Sequence, residues 1–210
     1  RYGDLYCAFM KGRVKLDVKY VNFKAEGMGE NSSVMFGYGN GTIVKARNLS
    51  SDISYSKLTV EEASNLNITS KYTQVNVGKA EDLTCTSRYD TYVLGQIQDL
   101  KNTGMYDNFR VASANSIEIA SKYTQVKAEK VAKTLVLDLS YGNADTRLGQ
   151  GFSKVSCTGN YTNFKLGVPE GSSFTFDGSS TYAGIDYPEG MDMEYNVQKN
   201  TSQTVKGKFG

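Results

Sequence analysis

The sequence contains no histidine, only 2 prolines and only 3 cysteines among its 210 residues. Without histidine it lacks the usual general base of hydrolases and the usual protein ligand of zinc. No apolar run approaches the roughly 18 residues needed to cross a bilayer, so we predict no transmembrane segment. The 24 basic and 22 acidic side chains nearly balance, so no strongly basic surface favours nucleic acid as a partner.

Tyrosine, by contrast, is abundant and regularly spaced. Of its 15 copies, eleven recur at intervals of 17 to 21 residues. The series is Tyr2, Tyr20, Tyr38, Tyr55, Tyr72, Tyr89, Tyr106, Tyr123, Tyr141, Tyr161 and Tyr182. A fixed period in this range is typical of repeat architectures, in which each unit packs on similar neighbours.

Apolar residues keep a constant phase to these tyrosines. Leu66 and Ile68 lie six and four positions before Tyr72, and Val75 and Val77 lie three and five positions after it. This alternation with period two is typical of half-buried strands. A unit this short cannot bury its own apolar face, but stacked units can. The fold predicted is all-β: a single-stranded parallel β-helix (β-solenoid), right-handed, with about ten coils of 17–20 residues and a length of about 50 Å.

We expect residues 1–210 to form one β-helix domain. The units of Tyr141 and Tyr161 carry insertions at 148–152 and 169–173, which predict loops at a corner. The polar tail, 191–210, predicts a terminal strand or cap, because an open coil end would be an exposed strand edge. The repeat is already in register at Tyr2, so the chain is expected to be a fragment or processed product lacking upstream sequence.

The three cysteines all fall on inward-facing positions of the repeat. Cys85 and Cys157 share a column but lie four coils apart, about 19 Å at the strand spacing. A disulfide needs Cα atoms within about 7 Å, so we predict that these two cysteines are unpaired. Cys7 is likewise interpreted as a small buried hydrophobe, and the sequence predicts no metal site and no cofactor.

The tyrosine column has two interpretations. Positions two before the tyrosines are often small, which would leave room for a ring; they include Ser70, Ser87, Gly104, Ser121 and Gly159. The favoured interpretation is therefore structural: an inward-pointing, buried or half-buried aromatic stack at a corner, with hydroxyls reaching the turn or water. The alternative is an exposed tyrosine ladder that stacks on sugar rings.

A stripe of cations directly precedes the tyrosines, at Lys19, Lys71, Arg88 and Lys122, and is interrupted by Met105 and Ser140. Solvated side chains are the default interpretation of this stripe, and contact with anionic glycans or lipid is the alternative. Phe152 and Tyr187 lie in the irregular units between Gly142 and Gly190, where a specific site would be expected. We therefore name Lys71, Arg88, Lys122, Phe152 and Tyr187 as possible ligand contacts.

The repeat also resembles a known family. Ser70-Lys71-Tyr72-Thr73, Tyr106-Asp107-Asn108-Phe109-Arg110-Val111, Leu139-Ser140-Tyr141-Gly142 and Tyr161-Thr162-Asn163-Phe164-Lys165-Leu166 are similar to repeats of the adhesin domain family of Bacteroides-type bacteria. The resemblance covers essentially the whole chain. It implies an exported protein of a Gram-negative bacterium, with its signal peptide removed, that is periplasmic, outer membrane-associated or surface-exposed. It brings no catalytic residues.

The leading hypothesis is a non-catalytic extracytoplasmic β-helix, an adhesin or cell-envelope binding and scaffold protein. Its partners would be glycans or cell-surface or envelope proteins. One alternative is a carbohydrate-active β-helix, a polysaccharide lyase or hydrolase, by analogy of fold alone. The adjacent carboxylates Glu61-Glu62 and Glu81-Asp82 are interpreted as solvated turn residues, which gives that alternative little support. A partner in envelope signalling is the third possibility.

Overall fold

A computed structural model of the chain describes residues 3–185 and 189–210, and within these ranges the protein is a parallel β-helix of about eleven turns. This confirms the predicted fold class. No helix occurs in the described part of the chain, and thus none there is long and apolar enough to cross a membrane. Tyr2 and Tyr187 lie outside the described residues.

Within the described ranges, sixteen strands form one continuous hydrogen-bonded sheet. They are β1 (Gly3–Met10), β2 (Lys15–Lys19), β3 (Val21–Met28), β4 (Ser32–Gly37), β5 (Asn40–Ser54), β6 (Lys57–Lys71), β7 (Gln74–Arg88), β8 (Thr91–Met105), β9 (Asn108–Lys122), β10 (Gln125–Ser140), β11 (Asn143–Leu148), β12 (Lys154–Asn160), β13 (Asn163–Gly167), β14 (Phe174–Thr181), β15 (Asp192–Lys199) and β16 (Ser202–Phe209).

The regular middle of the solenoid consists of β5 to β10, each making most of one coil. Between neighbouring strands from β5 to β9, a residue pairs with the one 17 positions later, as Val75 does with Tyr92. In β7 the buried positions change from period two to period three around Ala80, where the chain bends twice. These two bends and the tyrosine turn give each coil three corners. One apolar core therefore runs along the axis.

The two ends of the solenoid differ from its middle. In the first coil Leu5, Cys7, Leu16 and Val18 are only partly buried. At the other end, loops around the two predicted insertions separate β11 from β12 and β13 from β14. Strand β16 then pairs antiparallel with both β14 and β15, so the segment predicted as a strand or cap forms an antiparallel hairpin.

The three cysteines are free thiols, and Cys85 and Cys157 are fully buried. Burial raises the pKa of each of these two thiols to about 12. A thiol with such a pKa stays protonated near neutral pH and is a poor nucleophile and metal ligand. The arrangement is the one expected of small core residues.

Candidate binding surface at the tyrosine corner

The tyrosine corner owes its shape to an uncommon backbone conformation. All ten described tyrosines of the series have left-handed φ angles between 50° and 60°. In an uninterrupted strand each tyrosine would point inward, because the residue two before it does. The left-handed residue breaks that alternation, so the tyrosine points outward and the residue after it points inward.

The ten rings form an exposed ladder along the outside of the solenoid. Their exposed fractions lie between 38% and 57%. Successive ring centroids are 4.5–5.1 Å apart and the ring planes differ by at most 16°. The ladder is therefore about 43 Å long at this strand spacing. The favoured sequence interpretation is right in placing an aromatic stack at a corner and wrong in turning its rings inward.

This stacking also limits what the ladder can bind. Each of the eight inner rings, from Tyr38 to Tyr161, is covered on both faces by its neighbours. A sugar cannot lie flat on these rings. What they offer is a row of ring edges and phenolic hydroxyls, repeated every coil. The ladder is exposed, as the alternative interpretation expects, but most of its ring faces are closed.

The predicted cation stripe borders the ladder. Lys71, Arg88 and Lys122 are exposed and each directly precedes a tyrosine. The Lys71 ammonium lies 5.9 Å from the centre of the Tyr72 ring, and the Arg88 guanidinium lies 5.5 Å from that of Tyr89. Such cation–π contacts contribute about 0.5–1 kcal/mol at exposed sites and keep the charge beside the ladder.

An amide column borders the other side of the ladder and was missed by the sequence analysis. Two positions after the tyrosines, seven of ten residues from Asn22 to Gly184 are asparagine or glutamine: Asn22, Asn40, Gln74, Asn108, Gln125, Asn143 and Asn163. Asn40 Nδ2 donates a hydrogen bond of 3.1 Å to Asn22 Oδ1 in the previous coil. The sequence carries this signal, because the amides keep a constant offset from the tyrosines, as the other columns do.

The two remaining predicted ligand contacts are Phe152 and Tyr187. Phe152 is 3% exposed and packs against Phe174 with ring centroids 4.9 Å apart. It therefore belongs to the core, because the irregular unit turns its aromatic ring toward the axis, and it is not available to an external ligand. Tyr187 lies outside the described residues.

Beneath the middle of the ladder, the residues directly after four successive tyrosines form a buried polar row: Thr73, Asp90, Asp107 and Thr124. Asp90 accepts hydrogen bonds from the Ser70 hydroxyl, at 2.7 Å, and from the Thr73 amide, at 2.6 Å. Asp107 accepts from the Ser87 hydroxyl, at 2.7 Å, and from the Asp90 amide, at 2.9 Å. The small residues two before some of the tyrosines, such as Ser70 and Ser87, thus make room for this row and not for the tyrosine rings.

Two buried carboxyl groups in consecutive coils are electrostatically costly. Burial raises the pKa of Asp107 to about 6, against the lowering effect of its hydrogen bonds, and the neighbouring Asp90 contributes to the rise. Burial likewise raises the pKa of Asp90. Neither carboxyl reaches the surface, so this pair is suited to structure and not to acid–base chemistry on an external substrate.

The exposed acids identified in the sequence are dispersed at the two bends of the coil. Glu62 forms an ion pair of 3.5 Å with Lys45, and Glu61, Glu81 and Asp82 are also exposed. Within residues 3–185 and 189–210, no group of three or more cysteine, aspartate or glutamate side chains is arranged to hold a metal ion. No protein-family model, curated protein or solved structure matches this chain.

Proposed function

We propose that this protein is a non-catalytic extracytoplasmic β-helix that acts as an adhesion or cell-envelope scaffold module. The observation that carries the proposal is the composite stripe at the tyrosine corner. Tyrosine edges with their hydroxyls run along the solenoid for about 43 Å, with amides along one side and, between Lys71 and Lys122, cations along the other.

A surface stripe that repeats in each coil is suited to an extended ligand that also presents repeated binding groups. Each coil offers a similar small set of donors and acceptors, and each single contact contributes little. An extended glycan or the flat surface of an envelope protein can engage several coils at once. Weak contacts then add up, because after the first one the others form within the same complex.

The test is binding of the purified protein to glycan and envelope-protein arrays. A variant with Lys71→Gln, Arg88→Gln and Lys122→Gln removes three charges beside the ladder. The matched control, Arg110→Gln, Lys127→Gln and Lys165→Gln, removes three exposed charges from the adjacent face. We expect the first variant to lose about tenfold or more in affinity and the control to keep it.

Two results would contradict the proposal. One is the absence of retention on every surface of both arrays. The other is an equal loss of affinity in the two charge variants, which would show that binding follows net charge and not the ladder. The proposed location has its own test, digestion of intact cells with an external protease, which should remove the protein if it is exposed on the surface.

A further inference from the structure

A second exposed aromatic site lies away from the tyrosine ladder, in the first coil. Phe9 in β1 is 61% exposed. Its ring packs over Gly27 of the next coil so closely that a Cβ at Gly27 would lie 2.1–3.0 Å from three ring carbons. Only glycine leaves space for the ring there. Phe9 is therefore held in place from one side and open to solvent on the other.

Phe9 lines an open groove of about 600 Å³ on the bend side of the solenoid. The groove runs between two columns of charged side chains, and its floor includes Met28, Ala46 and Ala63, which are buried. The charged residues lining it are Lys11, Arg13, Lys45, Arg47, Lys79, Glu30, Glu62 and Glu81. Five cations and three carboxylates thus line the groove.

Ion pairing leaves part of this charge available. Lys45 pairs with Glu62, and Arg47 pairs with Glu30. Among the described residues, Lys11, Arg13 and Lys79 have no ion-pair partner, and neither has Glu81. The groove therefore combines an aromatic surface, an excess of free cations and one free hydrogen-bond-accepting carboxylate.

We propose that this groove binds an anionic oligosaccharide, a chain of sugar units carrying carboxylate or sulfate groups that lies along several coils. The open side of Phe9 packs against the C–H face of the sugar ring. Arg13 binds the acidic group through its planar, forked guanidinium, and Lys11 adds a second positive charge. Glu81 follows Lys79, which the strand register places four coils from Phe9, about 19 Å at the strand spacing. Its carboxylate accepts hydrogen bonds from the hydroxyls of a sugar unit farther along the same oligosaccharide.

The mixture of charges favours a sugar over an acidic peptide. An acidic peptide brings carboxylates but few hydroxyl donors, so Glu81 would repel it without compensation. An acidic oligosaccharide brings both anionic groups for the cations and, on a unit farther along, hydroxyl donors for the carboxylate. The groove lies on a different face from the ladder, so this site goes beyond the proposed function. Its test is independent of the test of binding at the ladder.

The experiment is calorimetric titration of the full chain with oligogalacturonate, its methyl-esterified neutral form, sulfated chondroitin oligosaccharides and an oligoglutamate peptide. We expect at least one acidic sugar to bind, about tenfold or more tightly than the neutral form, and to weaken as salt rises. Phe9→Ala and Arg13→Gln should each reduce that affinity by about tenfold. Arg13 is exposed, so its variant tests the site without disturbing the core.

Matched controls separate this site from others. Tyr6→Ala removes a 65% exposed aromatic from the same strand outside the groove and should leave affinity unchanged. The Lys71, Arg88 and Lys122 triple variant should also bind normally. The proposal is overturned if neither acidic sugar binds, if the neutral form or the peptide binds equally well, or if only the ladder variant loses binding.

Discussion

Replacing Asp107 by asparagine tests the buried polar row through its dependence on pH. Asp107 is 3% exposed, and its pKa is raised from 3.8 to about 6, mainly by burial. Because the folded-state pKa is above the unfolded value, folding favours the protonated acid. The stabilising contribution is thus complete below about pH 4 and is lost as the pH rises through about 6.

The expected size follows from the two pKa values. A difference of this extent corresponds to about 3 kcal/mol of folding free energy lost between about pH 4 and pH 7.5. Asparagine has a similar shape and does not titrate in this range. The difference in unfolding free energy between the wild type and Asp107→Asn should therefore change by about 2–3 kcal/mol across the range, with the variant gaining at high pH.

The assay is urea-induced unfolding of both proteins, followed by circular dichroism at several pH values. Asp138→Asn, which alters an exposed carboxyl, serves as the control and should show no comparable change. A difference between wild type and Asp107→Asn that stays constant within about 0.5 kcal/mol from acid to neutral pH would refute the reasoning, because it would mean that Asp107 titrates alike in both states.

Three further predictions concern the corner and the core. Tyr89→Gly should destabilise the protein less than Tyr89→Ala, although it removes more atoms, because only glycine adopts the left-handed backbone without strain. Thermal unfolding of the two variants measures the order of stability, and the reverse order would contradict the prediction. Gly104→Ala should lower the free energy of unfolding by about 2 kcal/mol or more, because a Cβ there would lie 2.4 Å from a buried carboxylate oxygen of Asp107. Gly12→Ala is the control and should be neutral, since a Cβ at Gly12 has no atom within 4 Å. Equal unfolding midpoints of the two variants would count against this prediction. In the native protein a thiol reagent should label the half-buried Cys7 and spare Cys85, and rapid labelling of Cys85 would show that the core opens.

The stacked solenoid could be predicted because its signals are local and repeated. Leu83 and Leu100, for example, share one phase to the tyrosine and pair in adjacent strands, both fully buried. Period-two alternation identifies which side of a strand is apolar, and a constant 17-residue period admits few arrangements other than parallel stacking. The antiparallel return of β16 onto β14 has no such repeated signal, because the tail departs from the repeat.

The side on which each tyrosine lies was decided by the folded chain. Extrapolating alternation from Ser87 would turn Tyr89 inward, but a left-handed residue at the corner reverses the phase and buries Asp90 instead. Non-glycine residues adopt this conformation rarely, so local pattern alone favours the wrong side. In the stacked coils the conformation recurs at the tyrosine corner of each coil from Tyr20 to Tyr182, where the outward rings stack on each other. Residues such as Asp90 then fill the space beside a small neighbour such as Ser70. The repeat is thus a property of the sequence, and the outward ladder is a property of the stack.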